Sequence, residues 1–116
     1  MREIKFRAWI PKSSEMVYEG WNGDIFYSKR EIFAQGEDAE VMQYTGLKDK
    51  DGKEIYESDI DQDGGRIFYN ESIAAFQIDY GGDVDIADME DVDKWMVVSG
   101  NIYESPELLN PLNKQS

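Results

Sequence analysis

The chain has no cysteine and no histidine. The first absence excludes a disulfide framework and thiolate chemistry. The second removes the commonest general base, the commonest zinc ligand and the usual pH switch. A Ser–His or Cys–His nucleophile pair is therefore impossible, and catalysis would have to rest on Asp, Glu, Lys, Tyr or Ser. Long apolar runs are missing too: none approaches the roughly 18 residues of a membrane-spanning helix. The charged, alternating N-terminus has no apolar stretch behind it to read as a signal peptide. The expectation is a cytoplasmic protein without membrane contact and without a cofactor.

What is present argues for a folded body. The 116 residues are 41% hydrophobic and include three Trp, seven Tyr and five Phe. Disordered chains lack such residues, and a chain of this length can bury one core without staples. The net charge of −13 is unevenly spread: residues 1–50 carry eight Lys and Arg against nine Asp and Glu, residues 51–116 four against sixteen. An acidic second half repels phosphate backbones, so direct nucleic-acid binding is disfavoured. The acids would suit a basic protein surface, or would serve solubility alone.

The local pattern is that of strands and turns. Ile4, Phe6 and Ala8 alternate with Lys5, Arg7 and Trp9, the period of a strand with one polar face. Met16–Glu19 reads as its hairpin partner. Asn22–Gly23 is turn chemistry, and Ser28 with Glu31 forms a capping-box pattern that starts a short helix. Glu40–Tyr44 predicts a strand, Asp51–Gly52 a hairpin turn, and Asp61–Gly65 an acidic turn. Further strands are expected at 66–69, 73–80, 84–86 and 96–103, the last bent at Gly100. Residues 88–95 read as loop or one helical turn. Ser105–Pro106 opens a terminal helical turn. No internal repeat is evident. The fold expected is mainly β: an irregular N-terminal β region over 1–50, a C-terminal SH3-like β-barrel over 51–112 closed by a strand at 101–103, one or two short helices, and a frayed tail at 113–116.

Three segments carry a resemblance: Arg2-Glu-Ile-Lys-Phe-Arg-Ala-Trp9, the central run from Met42 to Glu57, and Gly100-Asn-Ile-Tyr-Glu-Ser-Pro-Glu-Leu-Leu109. Together, and in this order, they resemble the YopX family. The resemblance implies a small phage or prophage protein of a bacterial host cell with a C-terminal SH3-like barrel. It implies no reaction, cofactor or catalytic residue. The pattern departs at Ser58, where the family usually has Gly, and at Asp61, where an apolar residue usually continues the strand.

Three constellations are candidates for function. Asp59, Asp61, Asp63 and Gly64 match the opening of a calcium loop, but position twelve is Asn70 and the flanks read as strands; an acidic hairpin turn is the alternative. Asp83, Asp85, Asp88, Glu90 and Asp91 could present an acidic surface to a partner, or be a solvated face. Trp9, Trp21 and Tyr27, interleaved with Lys5, Arg7, Lys12, Lys29 and Arg30, could line an aromatic groove, or the two Trp could anchor the core. Functionally, these favour an accessory protein that binds a macromolecule, an unidentified protein or a second copy of itself. The alternatives are an acidic DNA mimic that inhibits a nucleic-acid-binding protein, and, third, a carboxylate-based hydrolase.

Overall fold

The computed structural model describes residues 3–82 and 85–109. The chain divides into two compact units, Met1–Tyr44 and Thr45–Ser116, where the sequence had suggested a boundary after Lys50. The architecture is mainly β, with antiparallel sheets and two short α-helices. The tail expected to fray, 113–116, lies outside the described residues.

In the first unit, β1 (Phe6–Ile10) pairs antiparallel with β2 (Glu15–Tyr18), Ala8 facing Val17 and Trp9 facing Met16. A second hairpin follows, β3 (Gly20–Asn22) with β4 (Ile25–Tyr27). Gly23 takes the first loop position at φ +63°, the place that type II′ hairpin turns reserve for glycine. The capping box forms as the sequence predicts. Ser28 accepts the Glu31 N–H, Glu31 accepts the Ser28 N–H, and α1 (Lys29–Phe33) starts there. β5 (Glu40–Lys48) returns along the other side of β1, Ala8 facing Val41. Alternation puts Phe6, Ala8 and Ile10 on one face of β1. That face makes the core, where Ala8, Val17 and Ile32 of α1 are buried and Phe6, Ile10, Tyr27 and Val41 pack around them.

In the second unit, β6 (Glu54–Tyr56) borders the far half of β5. Then come β7 (Asp59–Asp61), β8 (Arg66–Asn70), β9 (Ala75–Asp79), β10 (Ile86–Asp88), α2 (Val92–Trp95) and β11 (Val98–Asn101). A 3₁₀ turn, Pro106–Leu108, follows as Ser105–Pro106 predicts. The sheet order is β10-β9-β8-β7-β11. Its core is Ile55, Ile67, Ile78, Val92, Met96 and Val98.

One expectation is corrected here. The last strand ends at Asn101 rather than running to Tyr103, because the Asn101 side-chain oxygen accepts the N–H groups of Tyr103 and Glu104 and turns the backbone away. Among the described residues the ladder runs from β10 to β11, and the last strand, β11, pairs antiparallel with β7, the first strand of that sheet. The bend near Gly100 is present as a bulge: Val98 faces Asp61 and Gly100 faces Ile60.

Ser58 holds a backbone conformation that favours glycine. It sits at φ +70°, left-handed backbone that costs an L-residue about 1–2 kcal/mol. It is held there because its N–H donates to Ile67 O at 2.8 Å and its carbonyl accepts the Ile102 N–H at 3.0 Å. Ser58→Gly is expected to stabilise the fold by about 0.5–1 kcal/mol, the strain relieved less the extra chain entropy of glycine. The check is a higher urea midpoint at unchanged slope; an unchanged or lower midpoint would show that the strain is not there.

Candidate binding surface

The acidic turns are built to hold backbone. Asp59 and Asp61 lie on the same face of β7, both buried. Asp59 Oδ2 accepts the Tyr56 N–H at 2.8 Å. Asp61 Oδ1 accepts the N–H groups of Asp63 and Gly65, each at 2.9 Å, and Oδ2 accepts the Tyr80 hydroxyl at 2.6 Å. Asp63 is exposed at the turn. These bonds tie Asp59 and Asp61 to the local backbone and to Tyr80, and among the described residues there is no group of three or more Asp, Glu, His or Cys that could hold a metal ion. Tyr80 is kept protonated: burial first, then its bond to Asp61, then the charges of Asp61, Asp63 and Asp85 push its pKa upward.

The same device occurs at Asp49, which the sequence analysis did not single out. Asp49-Lys-Asp-Gly-Lys53 and Asp61-Gln-Asp-Gly-Gly65 share a pattern and share their bonds. In each, the first aspartate's N–H donates to the carbonyl four residues on, and the glycine N–H returns to the aspartate's carbonyl. Asp49 Oδ1 accepts from Asp51 and Lys53 at 2.9 Å, as Asp61 Oδ1 does from Asp63 and Gly65. Gly52 and Gly64 adopt nearly equal φ, +84° and +81°. Asp49 Oδ2 reaches farther, to the N–H of Val98 at 2.9 Å. Burial raises the Asp49 pKa, but the backbone donors Val98, Lys53 and Asp51, with the Lys53 charge, outweigh it and the net shift is downward.

The acidic stretch is placed differently. Asp85, Asp88, Glu90 and Asp91 are all exposed, the first just before β10, the second at its end and the others on the approach to α2; Asp83 lies outside the described residues. Asp88 accepts from Gln77 Nε2 at 2.8 Å, and Asp91 meets Lys94 Nζ at 3.8 Å.

The three aromatics do not line one groove. Trp9 is half-buried on the sheet face opposite Ala8, whereas Tyr27 packs on the Ala8 side. Arg7, one of the interleaved cations, is buried. Trp21 anchors no core: it is 73% exposed. Register explains why. Trp21 faces Phe26 across the β3–β4 hairpin, while Gly20 faces Tyr27. Tyr27 turns inward, so alternation turns Trp21 and Phe26 outward. Their rings meet edge to face at 5.3 Å, and Phe26 is 50% exposed. Ile25 and Phe33 are exposed as well. None of Ile25, Phe26 and Phe33 was a candidate from sequence. Their apolar spacing does not settle the local structure, and only the register shows which rings face out.

The hairpin is held rigidly at its base. Asn22 accepts the Tyr18 N–H at 3.0 Å and donates back to the Tyr18 and Gly20 carbonyls. Its side chain occupies the outward backbone groups at that end of β2, an edge that would otherwise be open to another strand.

The sequence profile described as "YopX protein" matches residues 5–110. The chain belongs to the YopX family. A solved structure, described as "Crystal structure of protein EF1440 from Enterococcus faecalis", is similar at 26% identity with a TM-score of 0.65, covering 94% of this chain and 99% of that one. No curated protein matches. In this YopX-family chain, the segments that carry the family resemblance hold polar groups that are spent on the fold. Thr45 Oγ1 donates to Ile55 O and accepts the Leu47 N–H; Asp49 and Asn101 each lock a loop. The exposed rings of the β3–β4 hairpin lie outside those segments.

Proposed function

We propose that this YopX-family chain is a phage or prophage accessory protein that acts by binding another protein and not by catalysis. The observation that carries the reading is the Trp21–Phe26 face. Two large rings paired on a rigid hairpin, exposed to solvent, cost solubility unless something covers them, and aromatic anchors of this kind dominate binding energy at protein interfaces. Thr45, Asp49 and Asn101, all within the resemblance segments, are engaged in holding loops and strands, which agrees with a structural role for those three.

The test is Trp21→Ser with Phe26→Ser in the full chain. Both positions are exposed, so folding stability should change by no more than about 0.5 kcal/mol, read by urea denaturation. Partner capture from cells should be lost. Equal capture by the double variant would overturn the hairpin as the site. Turnover of a defined metabolite by purified protein, abolished by replacing one carboxylate, would overturn the non-enzymatic reading.

A further inference from the structure

We infer that the protein seated on the Trp21–Phe26 hairpin is a second copy of this chain, joined through the outer edge of β4; the inference rests on the docking role proposed above and names its occupant. The β3–β4 hairpin is a sheet of two strands. Its two-residue loop makes Asn22 and Ile25 the hydrogen-bonded closing pair. Alternation then makes the next pair, Trp21 and Phe26, a non-hydrogen-bonded one whose backbone groups point away from the hairpin. On the β3 side the Asn22 amide bridges back to Tyr18. On the β4 side the Phe26 N–H and carbonyl have no partner among the described residues. The open edge stops there: the Ser28 N–H donates to Glu31 Oε1, and the Ser28 carbonyl accepts the Ile32 N–H.

An edge with one open residue fixes its own register. Two copies meet antiparallel about a two-fold axis at Phe26, each Phe26 N–H donating to the other's carbonyl. Charge complementarity selects the second copy. The run Asp24-Ile-Phe-Tyr-Ser-Lys-Arg30 is acidic at its start, apolar in its middle and basic at its end. Reversed against itself, it sets Asp24 of one copy opposite Ser28 of the other, beside the start of that copy's α1, where Arg30 stands. Asp24 and Arg30 are exposed, and neither makes an ion pair among the described residues, whereas Lys29 is held by Glu19. Both faces of the junction are apolar. On one, the Phe26 rings of the two copies become neighbours, each flanked by its own Trp21. On the other, Ile25, 56% exposed, meets Tyr27 of the second copy. The net charge of −13 opposes association, but residues 1–44, which carry the hairpin, hold six basic and eight acidic residues. Salt screens the more distant charges.

The test is sedimentation equilibrium of the full chain at about 0.15 M salt, with its concentration raised from about 10 µM to about 1 mM. The expected result is a mass that climbs toward twice that of the monomer, and that Trp21→Ser with Phe26→Ser holds at the monomer. Asp24→Arg and Arg30→Asp should each weaken the dimer about tenfold, because the two-fold axis makes every change twice. An equimolar mixture of these two variants should restore it, since each introduced charge then faces its opposite; restoration also shows that both variants are folded. A mass that stays at the monomer throughout overturns the second copy and leaves the docking face to the capture test above. A dimer that survives the two serines, or that is indifferent to the charge reversals, lies elsewhere on the molecule and overturns the inference as well. So does a mixture that remains monomeric. Capture from cells that is unchanged by the two serines overturns the docking face itself.

Discussion

Asp49→Ala is expected to remove about 3–4 kcal/mol of stability. The carboxylate is 3% exposed and accepts three backbone N–H groups. Bonds to a charged acceptor contribute about 1.5–3 kcal/mol each, but the three will not add. Asp51 and Lys53 are exposed and can turn their N–H groups to water, whereas Val98 is buried and its N–H would be left without an acceptor. Asp49→Asn should fall between: it keeps one acceptor oxygen for its loop and sets an amide NH₂ against the Val98 N–H. Urea denaturation of the three proteins should give the order Asp, Asn, Ala. A loss below about 1 kcal/mol for alanine would mean that Val98 is held by something else. The same group gives the acid limb of stability. Its pKa is depressed in the folded protein, so its contribution is complete above the ordinary aspartate value near about 4. The contribution is lost as pH falls below that value and through the folded one. The alanine variant should show a shallower fall in stability over that acid range.

Gly65→Ala is expected to cost about 3 kcal/mol for one added methyl. A Cβ at this position would lie 2.6 Å from Ile78 Cγ2 and 2.6 Å from Tyr80 Cε1. Both neighbours are fixed: Ile78 is fully buried in the core, and the Tyr80 hydroxyl is tied to Asp61. Overpacking of this kind typically costs about 1–3 kcal/mol, and displacement of Tyr80 would also break its bond to Asp61. The glycine is required here by the closeness of a ring and not by backbone handedness. Thermal unfolding of the variant, paired with Gly65→Ala/Tyr80→Ala, separates the causes. If the clash with Tyr80 dominates, the second substitution should recover part of what the first one loses. If the double variant is as unstable as the sum of the singles, the ring is not the obstacle.

Local features were legible in the sequence because their causes are local. Ser28 and Glu31 satisfy each other within one turn, Gly100 marks the bulge, and Ser105–Pro106 opens the 3₁₀ turn. Asp51–Gly52 was recognisable as a turn, yet its organiser, Asp49, was not. That residue's burial depends on Val98, far along the chain. The recurrence of Asp-x-Asp-Gly at 49 and 61 was visible in principle; its meaning needed the matching hydrogen bonds. Asp61 showed the reverse problem: a spacing that suits a cation is also the spacing that locks a five-residue turn. Trp21 was misleading for a different reason. Composition makes an aromatic residue look like core, and only pairing register, a property of two strands together, assigns it to the outside.

The reach of Asp49 to Val98 also bears on how the protein emerges from the ribosome. Synthesis delivers the Asp49 loop well before the strand whose N–H its second oxygen accepts. Until Val98 has been translated, that carboxylate lacks one of its three donors, and β7 lacks its neighbour β11. Met96 and Val98 are missing from the apolar core over the same interval. The second unit therefore cannot close around a nascent chain; it must do so once the β11 segment has cleared the exit tunnel, and the half-made sheet is the species a chaperone would meet.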